Sequence, residues 1–395
     1  MTRRNSKLSG KQWALGAAAV VAAGAVAATT VTLTTGGTAS CPARHTGSSR
    51  ASLAAPSGQG PAGAAYVADA GADGFSAIDT ATCKVIQTYN VGDPPVPGNP
   101  GDFDFDSTGE ALAIHGNTLY FADTGNSTVA VIDASKIDPS NHNPDETPIN
   151  VGLNPQDLAV SPDGSQVWVA ETGPQTSASS PSAVSVISTA TDKVTARWTL
   201  PGAPAQIRFS PSGTRVYVAA AGGVAVYSTA TRKPAGFIRG LGDPRGLAVS
   251  PDGKSLYVTG TESNQLYVIS TATDRVTRAI KVGEMPWQVV ASADGKTVYV
   301  ANPDSNSVSV IGVASGAARA KVTSTLAVPG VPDTLALTPN GQQLWVGARI
   351  AAKVVVLSTA DGSTVGSINL GDAPNAAGGY APTGIALTAT PAAGS

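Results

Sequence analysis

One phrase recurs seven times along this 395-residue chain: an apolar run ending in Tyr or Trp, then an apolar residue, then a small one. It occurs as Tyr66-Val67-Ala68, Tyr120-Phe121-Ala122, Trp168-Val169-Ala170 and Tyr217-Val218-Ala219. It returns as Tyr257-Val258-Thr259, Tyr299-Val300-Ala301 and Trp345-Val346-Gly347. Copies roughly 40 to 55 residues apart have the period of propeller blades.

Each copy sits in a larger frame, clearest in residues 244–282. Residues 246–249 form a short apolar run, and Ser250-Pro251-Asp252-Gly253 a turn, because Pro presets φ and Gly accepts positive φ. Residues 256–259 and 265–269 are further strands, separated from a half-exposed, alternating fourth (276–282) by the polar turn at 270–274. Four strands in about forty residues, with no helical period, define one blade. The first turn recurs as SPDG at 161–164, SPSG at 210–213, SADG at 292–295 and TPNG at 338–341. Blade two turns instead through His115-Gly116-Asn117, which makes His115 a turn residue. The 44 Gly and 28 Pro suit a chain made of turns.

The first copy begins at its second strand. The missing inner strand is supplied by Pro382-Thr383-Gly384-Ile385-Ala386-Leu387-Thr388, which matches Pro244 to Ser250. The fold expected is an all-β, seven-bladed propeller over residues 64–390, closed by a C-terminal strand that completes blade one, with 391–395 as a tail. Closure removes free sheet edges. Residues 298–311, VYVANPDSNSVSVI, resemble the YVTN family of β-propeller repeats, and six of the seven blades carry recognisable versions. The resemblance implies the fold. Related propellers include surface-layer proteins, lactone hydrolases and subunits of electron-transfer enzymes, so it does not imply one activity.

Ahead of the repeats, Arg3, Arg4, Lys7 and Lys11 precede an uncharged, Ala- and Val-rich stretch at 13–33, long enough to span a bilayer. Residues 1–35 are therefore expected to be a signal peptide or a signal-anchor transmembrane segment. Its length favours an anchor, with the body outside. Small residues at Thr38 and Ser40 permit cleavage before Cys41. Arg3-Arg4 is followed by Asn5-Ser6, which departs from a twin-arginine signal. Residues 36–63, rich in Ser, Gly, Ala and Pro, read as a flexible linker. Net charge is −2, and the first forty residues hold those four cations and no acid. The rest carries −2 − 4 = −6. An acidic body has no electrostatic footprint for nucleic acid.

Strand order brings the starts of inner strands and the ends of second strands to one mouth of the channel. The inner-strand starts bring Glu110, Gln156, Arg245, Trp287 and Asp333. The next position inward brings Asp157, Gln206 and Gln288. The second-strand ends bring Asp69, Asp123, Glu171 and Asn302. Blades one to three thus form an acidic sector, and blades five and six place a cation beside an aromatic ring. A polar, asymmetric mouth suits a ligand, whereas a plain solvated ring is also polar. Asp102, Asp104 and Asp106 alternate in the loop entering blade two as carboxylates do in calcium loops. However, Ser107 stands where an EF-hand needs Gly and Ala113 where it needs Glu. Calcium is the one ion suggested, and no other cofactor is expected. Chemical motifs for a nucleophile elbow, a phosphate loop or CxxC are missing.

Cys83 replaces the Asp, Arg or Gly of the matching turn in other blades. In an oxidising exterior, a Cys41–Cys83 disulfide is expected, with lipidation of Cys41 as the alternative. The reading reached is a monomeric extracellular or cell-surface scaffold without catalysis, which binds an envelope or extracellular protein, a glycan or a small molecule at the mouth. It touches the membrane only through its N-terminal segment. A metal-dependent hydrolase resembling lactonase propellers and an accessory subunit of a redox enzyme are the rival readings.

Overall fold

A computed structural model of the chain describes residues 63–69, 74–91, 111–173, 182–313, 319–370 and 381–388. The expected signal or anchor segment, the linker, Cys41, the acidic residues Asp102, Asp104 and Asp106, and Glu110 lie outside the described residues. Among the described residues, no helix is long and apolar enough to cross a membrane.

Seven four-stranded antiparallel sheets account for the fold. One strand from each sheet touches the corresponding strand of the next sheet: Leu112–His115, Pro155–Val160, Pro204–Phe209, Pro244–Val249, Val289–Ala291, Pro332–Leu337 and Pro382–Leu387. The last of these touches the first, so the contacts run full circle. This is an all-β seven-bladed propeller with these seven strands innermost. In blade one, Pro382–Leu387 pairs antiparallel with Ala64–Asp69, which is followed by Gly74–Asp79 and Lys84–Asn90.

Burial follows radial position. Second and third strands such as Arg215–Ala220 and Gly223–Ser228 are buried almost throughout, because a blade covers each of their faces. Fourth strands such as Arg275–Lys281 lie on the rim and are mostly exposed. The seven recurrent aromatic residues, from Tyr66 to Trp345, are all buried. They pack between blades. Trp168 of blade three stacks on Trp198 at 5.6 Å and meets Phe209 and Tyr227 of blade four edge-on at 6.0 and 5.8 Å. Such pairs add about 1 kcal/mol each beyond their buried area.

The turns obey the same repeat. Gly164, Gly213, Gly253, Gly295 and Gly341 close the first hairpins at φ between 68° and 71°, where a side chain is strained. In the third-to-fourth strand turn, Cys83, Asp192, Arg232 and Asp274 share φ between 51° and 54°. Cys83 thus occupies the position that its sequence match indicates. It is buried, and no free thiol occurs among the described residues.

Candidate functional site

The inner strands expose backbone N–H groups toward the channel, and each such donor needs an acceptor. Neighbouring blades supply it. Asp157 Oδ2 of blade three accepts the Ile207 N–H of blade four at 2.8 Å. Gln206 Oε1 of blade four accepts the Leu247 N–H of blade five at 2.5 Å. Gln288 Oε1 of blade six accepts the Leu335 N–H of blade seven. In all three, the third residue of one inner segment latches the fourth of the next. Blade five has Gly246 at the third position, since a Cβ there would lie 2.2 Å from the Trp287 carbonyl. The buried Thr259 hydroxyl bridges instead: it accepts the Gly246 N–H at 2.7 Å and donates to the Trp287 carbonyl at 2.6 Å.

The mouth carboxylates are similarly engaged. Asp69 accepts the Ala381 N–H at 2.7 Å, which ties blade one's second strand to the start of the C-terminal strand. Asp123 caps its own hairpin, accepting from the Asn126 N–H at 3.0 Å and Nδ2 at 2.8 Å. Glu171 is fully buried and accepts the Gly152 N–H at 2.9 Å and the Arg197 guanidinium at 2.9 Å. Asp157 also pairs with Arg208 at 2.7 Å; burial pushes its carboxyl up, against the pull of that guanidinium and of the Ile207 N–H. Asn302 is buried and donates to Ser309 Oγ at 3.0 Å. Gln156 is half-buried at the start of its strand. The acidic sector is therefore a series of separate pairings. Among the described residues, no three His, Cys, Asp or Glu side chains come together as a metal site.

Asp333 differs from the others. Its Oδ2 lies 3.2 Å from Arg349 Nε, yet its buried Oδ1 has no hydrogen bond. Burial outweighs the arginine and pushes the carboxyl up to about 7. A folded-state value above the unfolded one means that the native state holds its proton more tightly. The penalty for ionising this group is absent at acid pH, grows as pH rises past the unfolded value, and levels off above pH 7. Between pH 5 and pH 8, the wild type should lose about 2 kcal/mol relative to Asp333→Asn. Urea unfolding midpoints at both pH values test this, and a constant difference between the two proteins would refute it.

The cation and aromatic of blades five and six remain at the surface. Arg245 Nε lies 3.1 Å from Asp243 Oδ2, and its guanidinium sits 5.1 Å from the centre of the Trp287 ring. The Arg245 side chain is 39% exposed, so its charge is accessible, and Trp287 is half-buried beside it. A cavity of about 340 Å3 lies at the junction of blades four and five, walled by Gly222, Leu241, Gly242, Asp243 and Glu262; Asp243, the partner of Arg245, is its link to the pair. Asp243 and Met285 just ahead of the inner segments of blades five and six, and Val331 ahead of blade seven, hold φ of 51°, 53° and 63°. Asn154, ahead of the inner strand of blade three, shares this conformation at 53°, so it belongs to the repeat, although Met and Val rarely adopt it. Sequence reasoning missed Asp243, Arg349 and Glu262 as members of the mouth. Asp243-Pro244-Arg245 was the available signal, because a strand start places residues i and i+2 on one side.

Fold and mouth together define a seven-bladed propeller with a polar surface at one end of its channel. The profile of the choice-of-anchor I domain family matches residues 62–296, more than half of the chain, and the chain belongs to that family. Comparison with curated proteins finds no match. Among solved structures, it is similar to a functionally unknown protein from Desulfotomaculum acetoxidans, with TM-score 0.66, 17% identity, 82% of this chain and 99% of that one. It is also similar to the periplasmic gluconolactonase of Pseudomonas aeruginosa, with TM-score 0.61, 18% identity, 83% of this chain and 99% of that one. Hydrazine synthase of Kuenenia stuttgartiensis gives TM-score 0.54 and 24% identity, over 64% of this chain and 77% of that one. At these identities the likeness concerns the fold alone.

Proposed function

We propose that this protein is a secreted or cell-surface binding scaffold, built on YVTN-type repeats, that takes a protein, glycan or small-molecule ligand at the channel mouth without catalysis. One observation carries the reading. Asp69, Asp123, Asp157 and Glu171 are engaged in capping, latching or ion pairs, whereas Arg245 lies part-exposed over Trp287 and its partner Asp243 lines a cavity with Glu262. A fixed guanidinium over an indole offers a charge-assisted donor and an apolar edge together. The choice-of-anchor family and the basic, then apolar, N-terminal sequence support export, with residues 1–35 as signal or anchor and 36–63 as a tether.

A panel of glycans and metabolites, screened by thermal shift, tests the mouth. A ligand found this way should bind at least about tenfold more weakly to Arg245→Ala and to Trp287→Ala, a loss of about 1.4 kcal/mol. Unchanged affinity in both variants would overturn the assignment. Lactone turnover that depends on an added divalent ion would replace it with the hydrolase reading.

Cys41 and Cys83 are proposed to be joined in the exported protein. Cys83 is no free thiol, and the chain has only these two cysteines. Peptide mass spectrometry without reduction should find them linked, and a lipid on the Cys41 sulfur would exclude the bridge.

A further inference from the structure

The face opposite the mouth carries a second concavity, of about 500 Å3, between the hairpin turns of blades three and four. It lies within the range of small-molecule sites, about 300 to 1,000 Å3. Asp163, Ser165, Gln166, Phe209, Ser212 and Thr229 line it, and no Lys or Arg does. We propose that this groove binds a neutral, polyhydroxylated ligand, the chemistry of a short glycan.

Three features of the wall favour that class. Asp163 supplies a fixed acceptor. The Ser161 hydroxyl at 2.6 Å and the Ser165 N–H at 3.1 Å hold its carboxyl down at about 2, so it is ionised at any physiological pH. Its Oδ2 is bonded only by the Ser165 hydroxyl, at 2.9 Å, and keeps a lone pair for a ligand hydroxyl. Gln166 supplies a fixed donor. Its Oε1 accepts the Trp168 indole N–H at 2.9 Å, which orients the amide and leaves the NH2 group for the groove. Phe209 supplies the apolar surface against which the C–H face of a sugar ring packs. It is half-buried and braced edge-on by Trp168 at 6.0 Å. With a carboxylate and no cation on the wall, an anionic ligand is disfavoured.

The groove is particular to this junction. Blade seven repeats the amide–indole bond through Gln343 and Trp345 at 3.2 Å. The inner strand that follows it ends in Leu387, where the strand after blade three ends in Phe209. Among the described residues, the aromatic floor therefore occurs with the oriented amide only between blades three and four.

Trp168 lies directly behind Phe209 and Trp198 stacks on Trp168, so their fluorescence reports occupancy. Cellotriose, mannotriose and triacetylchitotriose are titrated against the whole protein. At least one should give a saturable change in emission in the millimolar range or below. Phe209→Leu, which installs the residue found at Leu337 and Leu387, and Gln166→Ala should each weaken it about tenfold or more. Ser212→Arg, at an exposed position on the rim, should block the groove without touching the core. Trp287→Ala, at the opposite mouth, should leave the titration unchanged, which separates this site from the proposed mouth site. Failure of all three sugars to saturate, or affinity unchanged in Phe209→Leu, Gln166→Ala and Ser212→Arg, would overturn the proposal. So would loss of the signal in Trp287→Ala alone.

Discussion

Removal of residues 382–395 is expected to leave no folded monomer. Pro382–Leu387 is hydrogen-bonded to Ala64–Asp69 and touches the innermost strands of blades seven and two. Ile385 and Leu387 pack on the cluster that contains Trp345, Val354 and Ile368, and Ala386 packs on the cluster of Tyr66 and Phe75. Without the strand, both clusters open and Ala64–Asp69 becomes a bare edge, apolar from Ala64 to Ala68, ready to pair with another chain. The Ala381 N–H that the fully buried Asp69 carboxylate accepts stays in the chain but is no longer held there by the strand that follows it. Size-exclusion chromatography of the truncated protein should give aggregates, and a synthetic peptide spanning 381–390 should recover part of the monomer. A truncated protein that runs as a monomer and melts at the wild-type temperature would show that closure does not depend on this strand.

Asp157→Ala should destabilise the protein by about 3 kcal/mol. The substitution strands two donors at once: the buried Ile207 N–H and the Arg208 guanidinium, whose side chain is about one-third exposed. In a domain of this size that corresponds to roughly 5 °C in melting temperature. Asp157→Asn keeps an acceptor for the N–H and gives up only the charge, so it should cost less. A ligand role for Asp157 predicts the opposite pattern, in which stability is unchanged and binding is lost. Melting curves of the two variants therefore decide what this carboxylate does, and a shift below about one degree in Asp157→Ala would refute the latch.

The position of Asp157 was legible in the sequence, but its role was not. Counting strands puts Asp157, Gln206 and Gln288 at one place in successive repeats, and a polar residue in that place suggests a wet channel. Whether such a side chain points at a ligand or at the next blade depends on how far apart neighbouring inner strands sit, and no single repeat contains that distance. The same holds for Glu171 and Arg197, which lie on the second and fourth strands of one blade and meet across the third strand because its Ala183 pairs with Glu171 and its Ser185 with Arg197. Arg245 and Trp287 fared differently. Both lie at strand starts of adjacent blades, so order along the chain alone predicted their proximity, and they stand 5.1 Å apart as cation and ring.

The class of fold and the place of each strand within a blade can be read from the repeat alone. A sevenfold phrase of apolar strand, Gly-closed turn and buried aromatic has local causes: alternation, backbone sterics and burial all act within about forty residues. It also marked Pro382 to Thr388 as an inner strand far from its blade. Which mouth residues are engaged and which stay exposed depends on how the blades pack. Packing seven blades around an axis forces inner-strand N–H groups and buried carboxylates to find partners across the junctions, because an unpaired polar group there costs free energy. That demand engages Asp157, Gln206, Gln288 and Glu171. It leaves Arg245 and Trp287 at the surface, and it opens the Phe209 groove on the other face where an aromatic residue replaces the aliphatic one of other blades.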